Sequence, residues 1–247
     1  MNRNSYSQRQ QILMRRLIAA HTVPVYKALQ VPMKQAADYV RANGLKDPGL
    51  DVGLMNSEML SAIQNLYLDA AIRAKKNYRS TKRFGGASDF ITRVLDYLKN
   101  HILNKVVVPI SNTTRSIISS TIDKAIQEGW GVEKTAKYLE TAPITKTRAR
   151  LIIRTESVRA TNYTQLQAAD DEVYQMEKTW IAIEDSRTRL SHSHAGVDGQ
   201  TQDLNEPFTN GLLYPGDPEG DAAEVINCRC TLGYRAKRTL DGKPIKK

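Results

Sequence analysis

Cysteine is nearly missing from this chain: there are two in 247 residues, Cys228 and Cys230, two positions apart. So close a pair makes a poor disulfide framework, and the lack of any other cysteine agrees with a reducing cytoplasm. Long apolar runs are missing too. Nothing approaches the roughly 18–20 apolar residues that cross a bilayer. The opening MNRNSYSQRQQILMRRLIAAH carries basic residues without the apolar core of a secretory signal. The sequence therefore predicts no membrane span and no export signal. No phosphate-cradling glycine loop of either standard spacing occurs, and neither repeats nor low-complexity tracts appear. What remains is an ordinary polar composition, 40% apolar and 25% charged. Its length suits one large domain or two modest ones with a real core.

Acids are scarce in one half only. Residues 1–140 hold 21 Lys+Arg against 11 Asp+Glu, whereas residues 141–247 hold 15 of each, so the net +10 lies in the first half. Arg73, Lys75, Lys76, Arg79, Lys82 and Arg83 form a cluster without an acid among them. A second patch closes the chain with Arg235, Lys237, Arg238, Lys243, Lys246 and Lys247. Between the two, residues 190–228 contain seven acids and no Lys or Arg. A charge run alone is usually a solvated face. Two patches on a chain of this net charge point equally to a polyanion such as nucleic acid, and the first cluster is the candidate contact. Neither patch has interleaved aromatics or a base-reading motif, so sequence-specific recognition is not supported.

Periodicity predicts helices over the first 170 residues. Ile12, Leu13, Leu17 and Ile18 give an amphipathic stretch expected to stop near Val23-Pro24, and residues 32–80 read as a helix pair broken near Asn43-Gly44 and Pro48-Gly49. Further helices follow through Phe90–Ile102, through Ile117–Ile126 and, after Gly129-Trp130-Gly131, to Leu139. A long one from Thr145 to about Ala169 has an apolar stripe of Ala149, Ile152, Ile153, Ala160, Tyr163 and Leu166. The pattern then changes. Lys178–Glu184 and Ile226–Tyr234 alternate like strands, the second placing Cys228 and Cys230 on one face. Asp198-Gly199, Asn210-Gly211 and Pro215-Gly216-Asp217-Pro218 between them are turn chemistry. The fold class is α+β: a mainly helical N-terminal region, then a small mixed domain with few short strands and long ordered loops.

Three accounts compete for the polar residues of the last third. Thiolates and imidazoles are zinc's preferred ligands, so His192, His194, Cys228 and Cys230 form a candidate metal set. Against it, Cys-x-Cys is not the usual spacing, and small buried thiols commonly just pack. Cys228 or Cys230 with His192 or His194 and Asp185 would supply a nucleophile, a base and an orienting carboxylate, with no protease-type signature around them. The simpler account is structural. Asp185, Arg187, Arg189 and Asp217 pin long loops by charge-assisted hydrogen bonds, Trp180 anchors its strand, and Pro215 and Pro218 stiffen a turn.

The order of motifs then becomes informative. Ile153-Arg154-Thr155-Glu156, Arg159-Ala160-Thr161-Asn162, Trp180, Asp185-Ser186-Arg187-Thr188-Arg189, a histidine at 192 or 194, Asp198-Gly199-Gln200, Pro207-Phe208, Tyr214-Pro215-Gly216-Asp217-Pro218 and Asn227-Cys228-Arg229-Cys230 follow one another. This series resembles the Mu F-like family, the head morphogenesis or minor head proteins of tailed bacteriophages and prophages. The resemblance covers roughly residues 125–236. It implies a domain at 121–236, a basic helical region at 1–120 and a basic tail at 237–247. It implies a minor capsid protein of the virion, at the portal vertex or head interior, assembled in the host cytoplasm. The partners implied are the portal and the major capsid or scaffolding protein, together with packaged DNA. No catalytic residue is implied, and zinc is the only cofactor the residues suggest. The alternative is a metal-dependent or cysteine hydrolase acting during head maturation.

Overall fold

The computed structural model describes residues 3–77, 87–141, 143–183 and 196–247. Helices α1 (Arg3–Asn43), α2 (Val52–Asn77) and α3 (Ala87–Tyr97) come first. A π-helical segment, Leu98–Val107, leads into α4 (Val108–Gln127), and α5 (Val132–Thr141) and α6 (Pro143–Asp170) follow. The rest of the chain holds β1 (Met176–Ile181), β2 (Thr201–Asp203), the single-turn α7 (Ala222–Val225) and β3 (Thr231–Ala236). This is the α+β arrangement the patterning predicts. No helix among the described residues is long and apolar enough to cross a membrane.

The first helix departs from expectation. It runs through Pro24 and Pro32 without ending. Each proline removes one helical N–H and crowds the carbonyl four residues back, at about 3 kcal/mol in a helix interior. The buried residues Val25, Ala28, Leu29, Met33, Ala36, Ala37 and Val40 continue the helical spacing beyond them. Burying that stripe outweighs two missing hydrogen bonds, so apolar periodicity overrides the local breaker.

The chain divides into two compact units. One comprises Ala20–Gln64 and Leu98–Ile153. Its core joins Met33, Ala36, Ala37 and Val40 of α1 to Ile118 and Ile122 of α4 and Ala136 and Leu139 of α5. The turn between α4 and α5 is a Schellman cap: the Trp130 N–H reaches the Ala125 carbonyl at 2.8 Å, and Gly129 takes φ +64°. Arg41 ties α1 to α5 through Glu133 and Glu140.

The other unit comprises Met1–Ala19, Asn65–Tyr97 and Arg154–Lys247. Its three-stranded antiparallel sheet has the order β2-β1-β3, with Lys178 opposite Gln202 on one side and Tyr234 on the other, and Trp180 opposite Leu232. The predicted second strand begins late. Asn227 adopts φ +59°, a left-handed conformation incompatible with a strand, so residues 226–230 turn before β3 starts at Thr231. Beyond β3, residues 237–247 fold back as a hairpin bridged at Arg238 and Pro244, and Lys246 pairs with Tyr174 ahead of β1.

Within this unit every residue of α6 from Thr155 to Leu166 is buried. A helix buried all round is ordinarily apolar. Here Thr155, Glu156, Ser157, Arg159, Thr161, Asn162, Thr164 and Gln165 are all inside. Such groups require internal partners, because desolvation without a hydrogen bond is costly. Supplying those partners, which the Ser157 and Thr161 hydroxyls alone among the eight lack, is what gives the unit its site.

Candidate functional site

Asn162 is the hub. Its Nδ2 donates to the carbonyls of Val158 at 3.0 Å, Pro215 at 3.1 Å and Cys230 at 3.2 Å. Its Oδ1 accepts from the Thr231 hydroxyl and the Leu232 N–H, both at 3.2 Å. One amide thus joins α6, the Pro-Gly-Asp-Pro turn and the start of β3, and only a side chain with both donors and an acceptor can do so. Two turns earlier, Thr155 Oγ1 accepts from the Asn227 N–H at 3.1 Å, holding the left-handed residue that ends the approach to β3.

The turn is fixed from both sides. Arg159 Nε donates to the Gly216 carbonyl at 2.5 Å, and its other arm meets Glu156 Oε1 at 2.5 Å. Asp217 accepts from the Leu213 N–H at 3.0 Å and the Glu219 N–H at 3.1 Å, so its carboxylate folds the loop around itself. Burial pushes the Glu156 carboxyl up, against the pull of Arg159. Burial likewise disfavours the Arg159 cation, but Glu156 and the neighbouring tyrosines outweigh it and leave its pKa raised. The two buried groups face each other and not solvent.

Four tyrosines form a connected cluster beside that pair. Tyr97 stacks on Tyr163 with ring centroids 3.6 Å apart, and its hydroxyl shares a 2.5 Å hydrogen bond with that of Tyr214. Tyr67 lies 3.5 Å from Glu156 Oε2. Burial raises the pKa of all four.

A second knot lies on the sheet. Trp180 is fully buried and meets Phe208 edge to face at 5.1 Å. Its backbone N–H reaches the Gln200 carbonyl and its carbonyl accepts from Gly199, each at 2.9 Å, so the Asp198-Gly199 turn docks on β1. Asp198 Oδ1 accepts from the Ala182 N–H at 2.7 Å. Two residues from Trp180 on the same face, Lys178 is buried as completely. Its ammonium donates to the Leu204 and Leu213 carbonyls at 2.8 Å each and sits 5.1 Å over the Phe208 ring. Burial lowers its pKa to about 8.

A family model described as phage Mu protein F like protein matches residues 116–233. Over those residues the chain is similar to the phage Mu protein F-like family. The uncharacterized protein YqbB of Bacillus subtilis (strain 168) is 21% identical over 146 residues, covering 57% of this chain. The chain matches 48% of that protein, about half its length. No solved structure matches the chain.

The Mu F-like segment contains Asn162, Glu156, Trp180, Gly199, Pro215, Asp217, Pro218 and Asn227, which the structure brings onto α6, the sheet and their connecting turns. Arg154 is exposed on α6 and stands apart from the knots. Asp185, Arg187, Arg189, His192 and His194 lie outside the described residues. Cys228 and Cys230 are buried thiols. Among the described residues no group of three or more His, Cys, Asp or Glu comes together. In the basic cluster Arg73 pairs with Asp69, Lys75 lies 5.5 Å over the Phe90 ring and Lys76 is exposed. Arg79, Lys82 and Arg83 are outside the described residues.

Sequence reasoning missed Lys178 and the tyrosines. Period-two alternation does place Lys178 on the Trp180 face, and that was the available signal. The tyrosines come from α2, α3, α6 and the loop before Gly216, and no local pattern links them.

Proposed function

We propose that this Mu F-like protein is a minor head component that associates with the portal vertex or inner capsid and contacts packaged DNA without sequence preference. The observation that carries the reading is how α6 uses its polar residues. Glu156, Arg159 and Asn162 are committed to fixing turns and strand ends, as expected of a rigid assembly module. On this reading residues 121–236 are that module, residues 1–120 supply the variable basic contact with Arg73, Lys75 and Lys76, and residues 237–247 add further positive charge. Phosphate contacts by such cations position a protein on DNA without reading its sequence. The portal, with major capsid or scaffolding protein, is the partner class.

The test is quantitative mass spectrometry with cross-linking on purified heads. The expected result is a few copies per head, cross-linked to the portal or capsid. Absence from heads, with no cross-link to any head protein, overturns the reading. Cys228 and Cys230 pack in this account instead of ligating. Elemental analysis is therefore expected to find no stoichiometric zinc, and about one zinc per chain, lost in Cys228→Ser/Cys230→Ser, would reverse that assignment.

A further inference from the structure

The hairpin of residues 237–247 has a construction that core packing does not explain. Its tip is tightly bonded: the Thr239 N–H reaches the Lys243 carbonyl, the Gly242 N–H the Thr239 carbonyl and the Ile245 N–H the Lys237 carbonyl, all at 2.9 Å. Gly242 takes φ +81° to close the turn, and Arg238 donates to its carbonyl at 2.5 Å. The base is anchored to the lead-in of β1, with Gln175 N–H to Ile245 O at 2.9 Å and Lys237 N–H to Gln175 O at 2.8 Å. Residues 238–244 are nonetheless exposed throughout, and Leu240 at the apex is 111% exposed, more than any other large apolar residue described.

A single exposed leucine needs no explanation in itself. This one stands at the tip of a rigid ribbon whose flanks carry Arg238 and Lys243, with Lys237 and Lys246 behind them. Asp241 is the only acid from 235 to 247. Lys243 pairs with Asp241 at 3.0 Å and Lys237 with Asp203 at 2.5 Å, whereas Arg238 and Lys246 meet no carboxylate among the described residues. Exposed pairs of this kind are weak and exchange readily for phosphate. A two-stranded ribbon fits a DNA groove. Proteins that bind in the minor groove flank an apolar wedge with Arg or Lys and press it between base steps.

We propose that this hairpin is an arm for duplex DNA, with Arg238 and Lys243 on the phosphates and Leu240 pressed against a base step. The proposal rests on the DNA contact proposed above and gives it a location. The test uses the full chain, a short duplex with an internal 2-aminopurine, and binding measured across salt concentrations. Arg238→Gln/Lys243→Gln is expected to flatten the logarithmic salt slope by about 1.8, near 0.9 for each cation removed. Leu240→Ala is expected to keep that slope and lose the 2-aminopurine signal. All three positions are exposed, so unchanged thermal midpoints confirm that the variants fold.

If the chain binds DNA but neither variant changes slope or signal, the arm is overturned and the contact lies elsewhere. If the chain does not bind DNA at all, the DNA reading fails and takes the arm with it. If Leu240→Ala binds DNA normally with its signal intact and is lost from heads, the apex enters a protein pocket and the DNA assignment is wrong.

Discussion

Arg159 and Gly216 meet twice: the guanidinium holds the Gly216 carbonyl, and a Cβ built on Gly216 would lie 3.2 Å from the Arg159 Cα. Gly216 also takes φ +85°. Gly216→Ala therefore suffers both backbone strain and a contact with helix backbone that cannot swing away. Gly211, at φ +79° with open space around its Cβ position, suffers only the first. Urea unfolding is expected to show a loss of about 1 kcal/mol for Gly211→Ala and about 2–3 kcal/mol for Gly216→Ala. Equal losses would mean that the close approach is not felt.

Asn162→Leu keeps the volume and removes every bond of the hub. The Leu232 N–H and the Pro215 and Cys230 carbonyls are then buried without that partner, each at about 1–3 kcal/mol. A loss of at least about 3 kcal/mol is expected. Asn162→Asp, nearly isosteric, is expected to be no better, because it turns an anion toward three carbonyls. A tolerated Asn162→Asp would overturn the assignment of the amide orientation.

The Glu156–Arg159 pair predicts strong non-additivity. Arg159→Met alone leaves a buried carboxylate, and Glu156→Gln alone leaves a buried guanidinium; losses of about 3–5 kcal/mol follow from breaking one side of such a pair. The double variant is expected to cost clearly less than the two losses together, by at least about 1 kcal/mol in a double-mutant cycle. Strict additivity would show that the two charges do not depend on each other.

Alkaline stability should rise and then fall. Lys178 has a folded pKa near 8 against 10.5 as its ordinary value. Between these the unfolded chain binds the extra proton, so unfolding becomes harder as pH climbs from about 8 toward 10. The neutral amine still has two N–H groups for its two carbonyls. The buried tyrosines act oppositely: their pKa values are raised, so above about 10 the native state retains protons that the unfolded chain loses, and stability drops. Melting midpoints measured across pH 7–11 are expected to pass through a maximum near 10, and Lys178→Met is expected to flatten the rising limb. A midpoint falling steadily from pH 8 in the parent protein would contradict this.

Much of the fold was legible because it depends on apolar spacing. The stripe Ala149–Leu166 and the strand at Lys178 are local patterns, and α6 and β1 formed where those patterns lie. The errors came where distant contacts decide. Pro24 reads as a helix end until the residues after it are seen to be buried, and alternation through Ile226–Cys230 reads as strand until Thr155, 72 residues away, holds Asn227 in a turn. The motif residues of the site were visible as a series, but their roles were not. Nothing local says that Asn162 reaches Pro215, Cys230 and Leu232, or that Arg159 lies beside tyrosines from α2, α3 and the loop before Gly216.

The unit that holds these residues draws on both ends of the chain, from Met1–Ala19 to Arg154–Lys247, and Gln10 of α1 bonds to Gln165 of α6 across 155 positions. On a ribosome, its first helix emerges long before the sheet that completes it. The amphipathic segment at Met14 and Leu17 must wait, with its apolar side uncovered, until residue 232 has left the exit tunnel and Asn162 can close the seam. Maturation of this unit is thereby tied to synthesis of the chain through β3. A chain cut short anywhere before β3 would present that waiting helix to chaperones and proteases instead of to the sheet that covers it.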